Sequence, residues 1–333
     1  MSIVISNYNY AEFVADAITS ALDQCNGEAE VIVVDDGSTD MSRDVIESYG
    51  SRVTAIFTSN EGQGAAFNRG FAASAGEVVI FLDADDVLWA DTGRRALRAM
   101  AADPMVVRVQ FSLDVIDRAG RPTGDTVPPS PKVPFAGDAR PRLLTCPDDI
   151  VWQPTSGNAF RRRALDEVLP MPEAPYRLCA DYYVSNLIPL HGTVSVLQGS
   201  GGGYRVHGKN GHFTEAEQPD RLRMNIRRTH DTHRYLIDES RRLGLPGLPT
   251  DPAAVRSVSA AANRMLSYRL DRGSHPLPGD SRVGLLGLGL SSSAQRTDVS
   301  PYRRLAFASW FLAMAVVPRR WVRTVAHPFA RLD

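Results

Sequence analysis

Carboxylate side chains follow two apolar segments of this chain, at the point where each segment ends. The segment Val31–Asp36 ends in two aspartates, and the segment Val78–Asp85 ends in a triplet with Asp83 and Asp85. Short apolar runs predict buried strands, and the carboxyl ends of such strands form the ligand-binding edge of an open α/β sheet. Carboxylate oxygens suit Mg²⁺ or Mn²⁺, and either cation suits a phosphorylated substrate. The pattern therefore indicates a metal and phosphate site at one edge of a sheet.

The two acidic segments each have a structural and a functional interpretation. Alternate residues of an extended chain point the same way, so Asp83 and Asp85 can converge on one cation; the alternative is a solvated acidic turn. In the block Asp35–Asp40 the polar residues after the strand fit a turn with a helix cap. Capping gives no reason for two adjacent carboxylates directly after a buried strand, so Asp35 is also a candidate acceptor for a nucleobase N–H.

The elements that must position these carboxylates alternate between strand and helix patterns over the first ~100 residues. Strands are predicted at 2–6, 31–34, 53–58 and 78–83, with helices at 11–24, through 46–49 and after Gly64. This spacing is typical of βαβ units, so we expect a Rossmann-like, mostly parallel α/β sheet flanked by helices. Right-handed crossovers would bring the strand ends to one edge. Residues 118–147 contain seven prolines and few apolar residues, which indicates a long loop. The pattern is helical from 215 to 243 and from 252 to 270.

Composition limits the class of protein and of partner. The chain has 333 residues, 43% hydrophobic and 23% charged, which fits one large globular domain with an appendage. A net charge of -1 gives no support to a nucleic-acid partner. Three cysteines without CxxC spacing indicate neither a zinc site nor a disulfide framework, and they fit a reducing cytoplasm. The amino-terminal residues predict a strand, with no basic region followed by the apolar stretch of a signal peptide.

Four sequence blocks, in this order, resemble the family 2 glycosyltransferases of the GT-A fold, which move a sugar from a nucleotide-sugar to an acceptor hydroxyl. They are Val4–Asn9, Asp35–Asp40, the Asp83–Asp85 triplet, which is similar to the family's DXD motif, and Tyr204–Asn210. The likeness covers roughly the first two thirds of the chain. It implies a GT-A catalytic domain over 1–212, with a nucleotide-sugar half at 1–117 and an acceptor half at 118–212. A helical extension over 213–333 would follow.

The resemblance also implies roles for residues of the donor site. Asp35 would recognise the nucleobase, often uracil in this family, and Asp36 is a second candidate for nucleotide contact. Asp85 would be the direct ligand of Mn²⁺ or Mg²⁺, with Asp83 as a metal or ribose contact. Asn7 and Asn68 are expected to lie against the nucleotide-sugar as well.

The block Tyr204–Asn210 adds basic side chains to the same prediction. His207 would complete the metal shell or donate a hydrogen bond to the pyrophosphate, and Arg205 or Lys209 would pair with phosphate oxygens. A histidine in such a place is otherwise a structural residue. Many members of the family carry an arginine directly before the asparagine that corresponds to Asn68. Phe67 stands in that position here, so one contact to the base or phosphate is absent.

An inverting transferase needs a base that takes the proton from the acceptor hydroxyl. In the family this is an acid downstream of the metal motif, commonly in a Glu-Asp pair that opens a helix. Here the pair reads Ala180-Asp181, so the first acid is missing and Asp181 is predicted to be the base. The alternative is an aspartate in the first turn of a helix, where it interacts favourably with the helix dipole.

The resulting prediction is a non-processive, inverting transfer from a nucleoside-diphosphate donor, with UDP favoured. The Gln-x-x-Arg-Trp motif of processive relatives is absent from the sequence. A glycan or a lipid-linked saccharide is the expected acceptor, in cell-surface glycan or glycolipid synthesis. Two alternatives remain open at this point. One is a sugar nucleotidyltransferase, although 7–10 is not the glycine-rich loop such enzymes usually carry; the other is a non-catalytic nucleotide-sugar binding subunit, which the missing acid at Ala180 allows.

The carboxyl-terminal region carries a separate signal. The uncharged run Leu305–Val317 is bracketed by arginine pairs and is shorter than the ~20 apolar residues needed to span a bilayer. One interpretation places 301–325 at the inner membrane surface, with Trp310 and Trp321 in the interface and the arginines toward anionic lipid. The other packs this segment on the catalytic domain or in a homodimer.

Overall fold

The computed structural model describes residues 1–129, 134–150, 152–208, 219–296 and 298–326. The predicted phosphate contact Lys209 lies outside the described residues. The strands are β1 (Ser2–Asn7), β2 (Glu30–Asp35), β3 (Thr54–Phe57), β4 (Val78–Asp83), β5 (Val87–Leu88), β6 (Val106–Ile116), β7 (Pro122–Val127), β8 (Asn158–Arg161) and β9 (Thr193–Arg205). The α-helices are α1 (Val14–Leu22), α2 (Ser42–Glu47), α3 (Gln63–Ala73), α4 (Thr92–Ala102), α5 (Arg140–Leu143), α6 (Arg162–Val168), α7 (Asp181–Leu187), α8 (Pro219–Arg242), α9 (Val258–Leu270), α10 (Arg282–Gln295), α11 (Pro301–Val316) and α12 (Val322–Ala326).

The chain divides into two compact units. The first unit comprises Met1–Ala139 and Val151–Thr214 and holds all the strands named above. The second unit comprises Arg140–Ile150 and Glu215–Asp333, and every element described in it is helical. A short segment from the middle of the chain therefore belongs to the second unit, which is otherwise formed by the carboxyl-terminal third.

The sheet of the first unit has the strand order β3-β2-β1-β4-β8-β6-β9-β5, with β7 on the outside of β6. The first four strands in this order pair in parallel, and β8 joins them antiparallel. The predicted α/β fold with a mostly parallel sheet is confirmed. The strand register pairs Asn7 with Asp35 and Ser6 with Asp83, so the ends of three strands lie at one level.

The sheet is stabilised by alternating apolar side chains that lie on both of its faces. Ile3, Ile5, Val33 and Ile80 are fully buried in one cluster together with residues of α1, α2 and α4. Burying an aliphatic side chain of this size contributes about 1.5–3 kcal/mol. The strand ends that carry the carboxylates are thus anchored in a rigid layer.

The proline-rich stretch 118–147 was predicted to be a long loop, and this is wrong for its first part. The strand β7 spans Pro122–Val127 and pairs antiparallel with β6, to which Pro122 is joined opposite Ile116. A proline is tolerated at the first position of an edge strand, where its missing N–H leaves no gap in the ladder. The side chains of β7 are largely exposed, so its sequence lacks the apolar alternation that would have revealed it.

The second unit has its own core, built by α9, α10, α11 and α12. Phe307, Phe311 and Met314 of α11 are buried in it. Trp310 is only 6% exposed, and its indole N–H donates to the carbonyl of Val325 at 2.8 Å. The expectation that Trp310 lies in a membrane interface is therefore wrong, because this side chain faces the helical core. Trp321, by contrast, is 51% exposed. No helix in the described ranges is both long enough and apolar enough to cross a bilayer.

Candidate active site

The end of β1 and the end of β2 form a small polar pocket around Asp35. The amide of Asn7 donates to Asp35 Oδ1 at 2.6 Å, and the hydroxyl of Ser38 donates to the same oxygen at 2.5 Å. The backbone N–H of Ser38 donates to Asp35 Oδ2 at 3.1 Å. Because a carboxylate has about four acceptor positions, one position on Oδ2 remains for a further donor. The amide oxygen of Asn7 is buried and has no hydrogen-bond partner among the described residues.

Asp36 lies beside Asp35 but points to a different partner. Its Oδ1 accepts the backbone N–H of Glu61 at 2.8 Å, and its Oδ2 accepts that of Gly62 at 2.7 Å. Gly62 has φ 100°, and a Cβ there would lie 2.5 Å from Cα of Arg177. The carboxylate of Asp36 therefore holds the loop that leads into α3, and this loop requires a glycine.

The second acidic segment brings three carboxylates together after β4. Asp83 Oδ1 accepts the side-chain amide of Gln63 at 2.8 Å. Asp85 Oδ2 lies 3.0 Å from Nε2 of His207. Asp86 is buried, and its two oxygens accept the Ser156 hydroxyl at 2.6 Å and the backbone N–H of Arg205 at 2.9 Å.

These carboxylates make the surroundings strongly negative. Burial raises the pKa of Asp86 well above its usual value, and the charges of Asp85 and Asp83 raise it further. Burial also raises the pKa of Tyr10 and of Tyr204, with added contributions from the same three aspartates. A cation placed here would relieve this repulsion, since an opposite charge within a few ångströms favours the ionised carboxylates.

The donor set fits a hard divalent cation. The described residues contain no preassembled group of three or more His, Cys, Asp and Glu side chains that could hold a metal ion. Mg²⁺ is usually bound through only one or two carboxylates, and water and substrate phosphates complete its shell. Asp85, with Asp83 and His207 near it, satisfies that requirement.

His207 and Arg205 are held by the end of β9 in different ways. The ring of His207 packs 4.7 Å from the ring of Phe13 and 5.6 Å from that of Tyr10, which fixes Nε2 toward Asp85. The buried guanidinium of Arg205 donates to the carbonyls of Asp85 and Arg118, at 2.8 and 3.0 Å, and to the Asp16 carboxylate at 2.9 Å. Arg205 therefore holds the backbone of Asp85, and its pairing with phosphate oxygens stays a prediction.

Asp181 is the first residue of α7 and is partly exposed. The guanidinium of Arg108 lies fully buried below it and donates to Asn158 Oδ1 at 2.7 and 2.9 Å and to the carbonyl of Ser185 at 3.1 Å. Burial lowers the pKa of Arg108 to about 9, and the charge of Asp181 opposes this effect. Arg108 therefore remains a cation at neutral pH and supplies a fixed positive charge near Asp181.

Asn68 does not join the carboxylate cluster. Its amide nitrogen donates to the carbonyl of Met171 at 2.9 Å, and its oxygen accepts the backbone N–H of the same residue at 2.8 Å. Next to it, Phe67 stacks on Phe81 with ring centroids 4.1 Å apart. In this chain the two positions stabilise α3 against its neighbours.

Sequence reasoning missed Gln63, which connects two parts of the site. Its amide nitrogen donates to Asp83, and its oxygen accepts the backbone N–H of Ala180 at 2.9 Å, directly before Asp181. Only the long-range fold brings α3, β4 and α7 together, so no local signal marked this residue. Its place as the first residue of a helix after a glycine is the one hint that the sequence offers.

Comparison with known proteins gives consistent matches. The family model described as "Glycosyl transferase family 2" matches residues 2–169. An uncharacterised glycosyltransferase of Nostoc sp. is 37% identical over 252 residues, which is 73% of this chain and 76% of the relative. The crystal structure of S. aureus TarS 1-349 aligns with a TM-score of 0.56 at 16% identity, over 100% of this chain and 91% of that chain. The same TarS fragment in complex with UDP-GlcNAc aligns with a TM-score of 0.54 at 15% identity, over 99% of this chain and 91% of that chain.

Proposed function

This chain belongs to glycosyltransferase family 2 and is a glycosyltransferase of the GT-A fold; on that premise we propose that it transfers a sugar from a UDP-linked donor to an acceptor hydroxyl with inversion. The observation that carries the proposal is the convergence of polar groups at one sheet edge. The register pairs Asn7 with Asp35 and the preceding residue, Ser6, with Asp83. Asp85, two residues after Asp83, contacts His207. This edge is where an open α/β sheet binds its nucleotide.

The nucleoside would lie against Asn7 and Asp35. The remaining acceptor position of Asp35 suits the N–H of a uracil ring, and the buried amide oxygen of Asn7 offers a second acceptor for a base or ribose donor. A buried acceptor without a partner is unfavourable by about 1–3 kcal/mol, so a ligand donor would be bound tightly there. TarS, a protein of the same fold, has been crystallised with UDP-GlcNAc, which supports testing UDP first.

The diphosphate would lie over Asp83, Asp85 and His207. A divalent cation held by Asp85, with help from Asp83 and His207, would offset the charge that develops on the departing diphosphate. Asp86 and Arg205 position this cluster, because Asp86 binds the backbone of Arg205 and Arg205 binds the carbonyl of Asp85.

Asp181 would act as the base. A partly exposed carboxylate at the start of α7 can approach an acceptor hydroxyl. Gln63 fixes the chain before Asp181 to the same aspartate that faces the donor. In this proposal Asp181 alone takes the proton, without the acid that Ala180 replaces.

The remaining parts of the proposal concern the acceptor and the place of action. Single addition is proposed because the sequence lacks the Gln-x-x-Arg-Trp motif of processive relatives. We also propose a cytoplasmic enzyme that acts on a glycan or a lipid-linked saccharide in cell-surface glycan or glycolipid synthesis.

Calorimetric titration of UDP, GDP and dTDP, each with and without Mn²⁺, tests the donor site. We expect UDP to bind selectively and only with Mn²⁺, and Asp85→Ala to abolish this binding. Asp125→Ala, which removes an exposed aspartate of β7, is the control and should bind as the unaltered chain does. Failure of the folded protein to bind any nucleotide would refute the assignment.

A variant of Asp181 tests the proposed base. Asp181→Asn should bind UDP normally but lower the rate of transfer about 10²–10⁴-fold, the usual contribution of general base catalysis. Unchanged turnover of Asp181→Asn would show that another group takes the proton.

A further inference from the structure

Helix α11 exposes an apolar face in the second unit. Tyr302, Leu305, Leu312 and Val316 are between 51% and 80% exposed, and their spacing of three, seven and four residues puts them on one side of the helix. The opposite side packs Phe307 and Phe311 into the core. Monomeric proteins rarely leave contiguous apolar patches of this kind in water, so the face is expected to contact something.

Positive charge is concentrated in the same region. From residue 281 to 333 the sequence has eight arginines and two aspartates, without lysine or glutamate, which gives a net charge of +6 in a chain whose total is -1. One of the two acids, Asp298, is bonded by Arg296 at 2.9 Å. The partner of this region is therefore expected to be both apolar and anionic.

A cleft at the end of α11 gathers several of these arginines. It has a volume of about 470 Å³ and is lined by Leu222, Arg223, Leu270, Arg319, Arg320 and Arg323, with Asp271 beside Arg223. Arg319 donates to the carbonyl of Leu270, which fixes its side chain. Within the described part of the chain, Arg320 and Arg323 form no ion pair. Arginine in such a group binds phosphate oxygens in a bidentate manner.

The arginine cleft begins three residues after Val316, because Arg319 lines it and Val316 is the last residue of α11. Arg269 donates to the carbonyls of Met314 and Val317. Burial lowers the pKa of Arg269, and the nearby charge of Arg282 lowers it further. The start of α10 is therefore near the end of α11, and there Val283 is 80% exposed. Apolar side chains thus stand next to a cluster of cations at this end of the unit.

We propose that the exposed face of α11, with the arginine cleft at its end, is a docking surface for an anionic phospholipid bilayer. Apolar side chains would enter the acyl boundary, and the arginines would bind headgroup phosphates. A helix of 16 residues is too short to span, so it would lie in the plane of the surface. Tyr302 lies at the start of α11 and Trp321 follows its end, and both aromatic rings are exposed. Tyrosine and tryptophan are the residues that prefer the interface between membrane and water. Two copies facing each other would bring like charges together, which disfavours a homodimer through the same surface.

Vesicle flotation of the full chain tests this proposal. We expect binding to phosphatidylcholine vesicles that contain phosphatidylglycerol, little binding to phosphatidylcholine alone, and release at high salt. The pair Leu312→Glu and Val316→Glu should weaken binding at least about tenfold, and so should Arg320→Glu with Arg323→Glu. All four side chains are exposed, so folding should be unaffected.

Matched controls use equal changes elsewhere on the surface. Met41→Glu with Met105→Glu is the apolar control, and Arg98→Glu with Arg241→Glu is the charge control; both should float as the unaltered chain does. Absence of binding to anionic vesicles, or equal losses in the controls, would overturn the proposal. Sedimentation equilibrium provides a further check, because a dimer that Leu312→Glu dissociates would identify the face as a contact between copies instead. The membrane proposal can fail or hold independently of the proposed UDP site, since the residues of that site belong to the first unit and the docking surface belongs to the second.

Discussion

At the scale of single residues, neighbouring aspartates of the same block have different partners. Asp35 keeps one acceptor position for a ligand, whereas both oxygens of Asp36 hold the loop before α3. The sequence predicted a nucleotide contact for both, because adjacent carboxylates after a strand look alike until the loop that they bind is known. A carboxylate bound by two backbone N–H groups contributes mainly to the stability of the fold.

Replacing Asp36 should therefore affect stability more than nucleotide affinity. Asp36→Ala leaves the N–H groups of Glu61 and Gly62 without their acceptor, and we expect a loss of about 2–3 kcal/mol in the free energy of unfolding. Urea denaturation measures it, with Asp125→Ala as the control. Unchanged stability with lost UDP binding would instead assign Asp36 to the ligand.

Gln63 offers a second residue-scale prediction, because it joins the proposed metal ligand Asp83 to the chain before the proposed base Asp181. Gln63→Leu removes both hydrogen bonds and leaves the N–H of Ala180 unpaired. Partners behind metal ligands are typically worth 10–100-fold, so we expect the Mn²⁺ concentration for half-maximal activity to rise about 10–100-fold while kcat falls. Gln198→Leu, at an exposed position, is the control. If Gln63→Leu needs the same Mn²⁺ concentration for half-maximal activity as the unaltered chain, Gln63 contributes only to local packing.

At the scale of elements, apolar patterning predicted the strands that carry the site and failed where pairing depends on distant partners. β1, β2 and β4 are buried runs, so their positions and the polar residues at their ends follow from the sequence. β7 is exposed and begins with proline, so it has no strand pattern. Trp310 was assigned to the wrong side of its helix, because an uncharged run does not reveal which face meets the core.

The contact between α10 and α11 gives an element-scale prediction with an internal control. A Cβ at Gly289 would lie 2.3 Å from the ring of Phe311, while nothing lies within 4 Å of a Cβ at Gly287. Gly289→Ala should destabilise the second unit by about 1–3 kcal/mol through overpacking. Gly287→Ala should stabilise it by about 0.5–1 kcal/mol, the usual gain when alanine replaces glycine in a helix. Thermal unfolding compares the two, and equal shifts in Tm would contradict this packing.

At the scale of the whole molecule, the two units differ in how far the sequence reveals them. The parallel strands β1 to β4 of the first unit follow from local strand and helix signals together with the four blocks of the resemblance. The place of 140–150 does not, because its partners lie far along the chain. His233 of α8 lies 2.8 Å from Asp148, and Leu143, Cys146 and Ile150 are buried. No local sequence pattern indicates that a segment between two strands packs with helices that begin about seventy residues later.

This arrangement predicts the result of shortening the chain. A protein of residues 1–208 keeps Asn7, Asp35, Asp85 and His207 but removes the helices on which 140–150 packs. We expect it to aggregate through its exposed apolar side chains, as seen by light scattering, and to become monodisperse when Leu143→Ser and Ile150→Ser are added.

The same two substitutions in the full chain serve as the control, since they should destabilise the second unit by removing buried apolar groups. The shortened, substituted protein should bind UDP with Mn²⁺ as the full chain does, because the proposed donor residues all belong to the first unit. A monodisperse protein that has lost UDP binding would show that the helical unit contributes to the donor site, and the assignment of that site to the sheet edge alone would then be wrong.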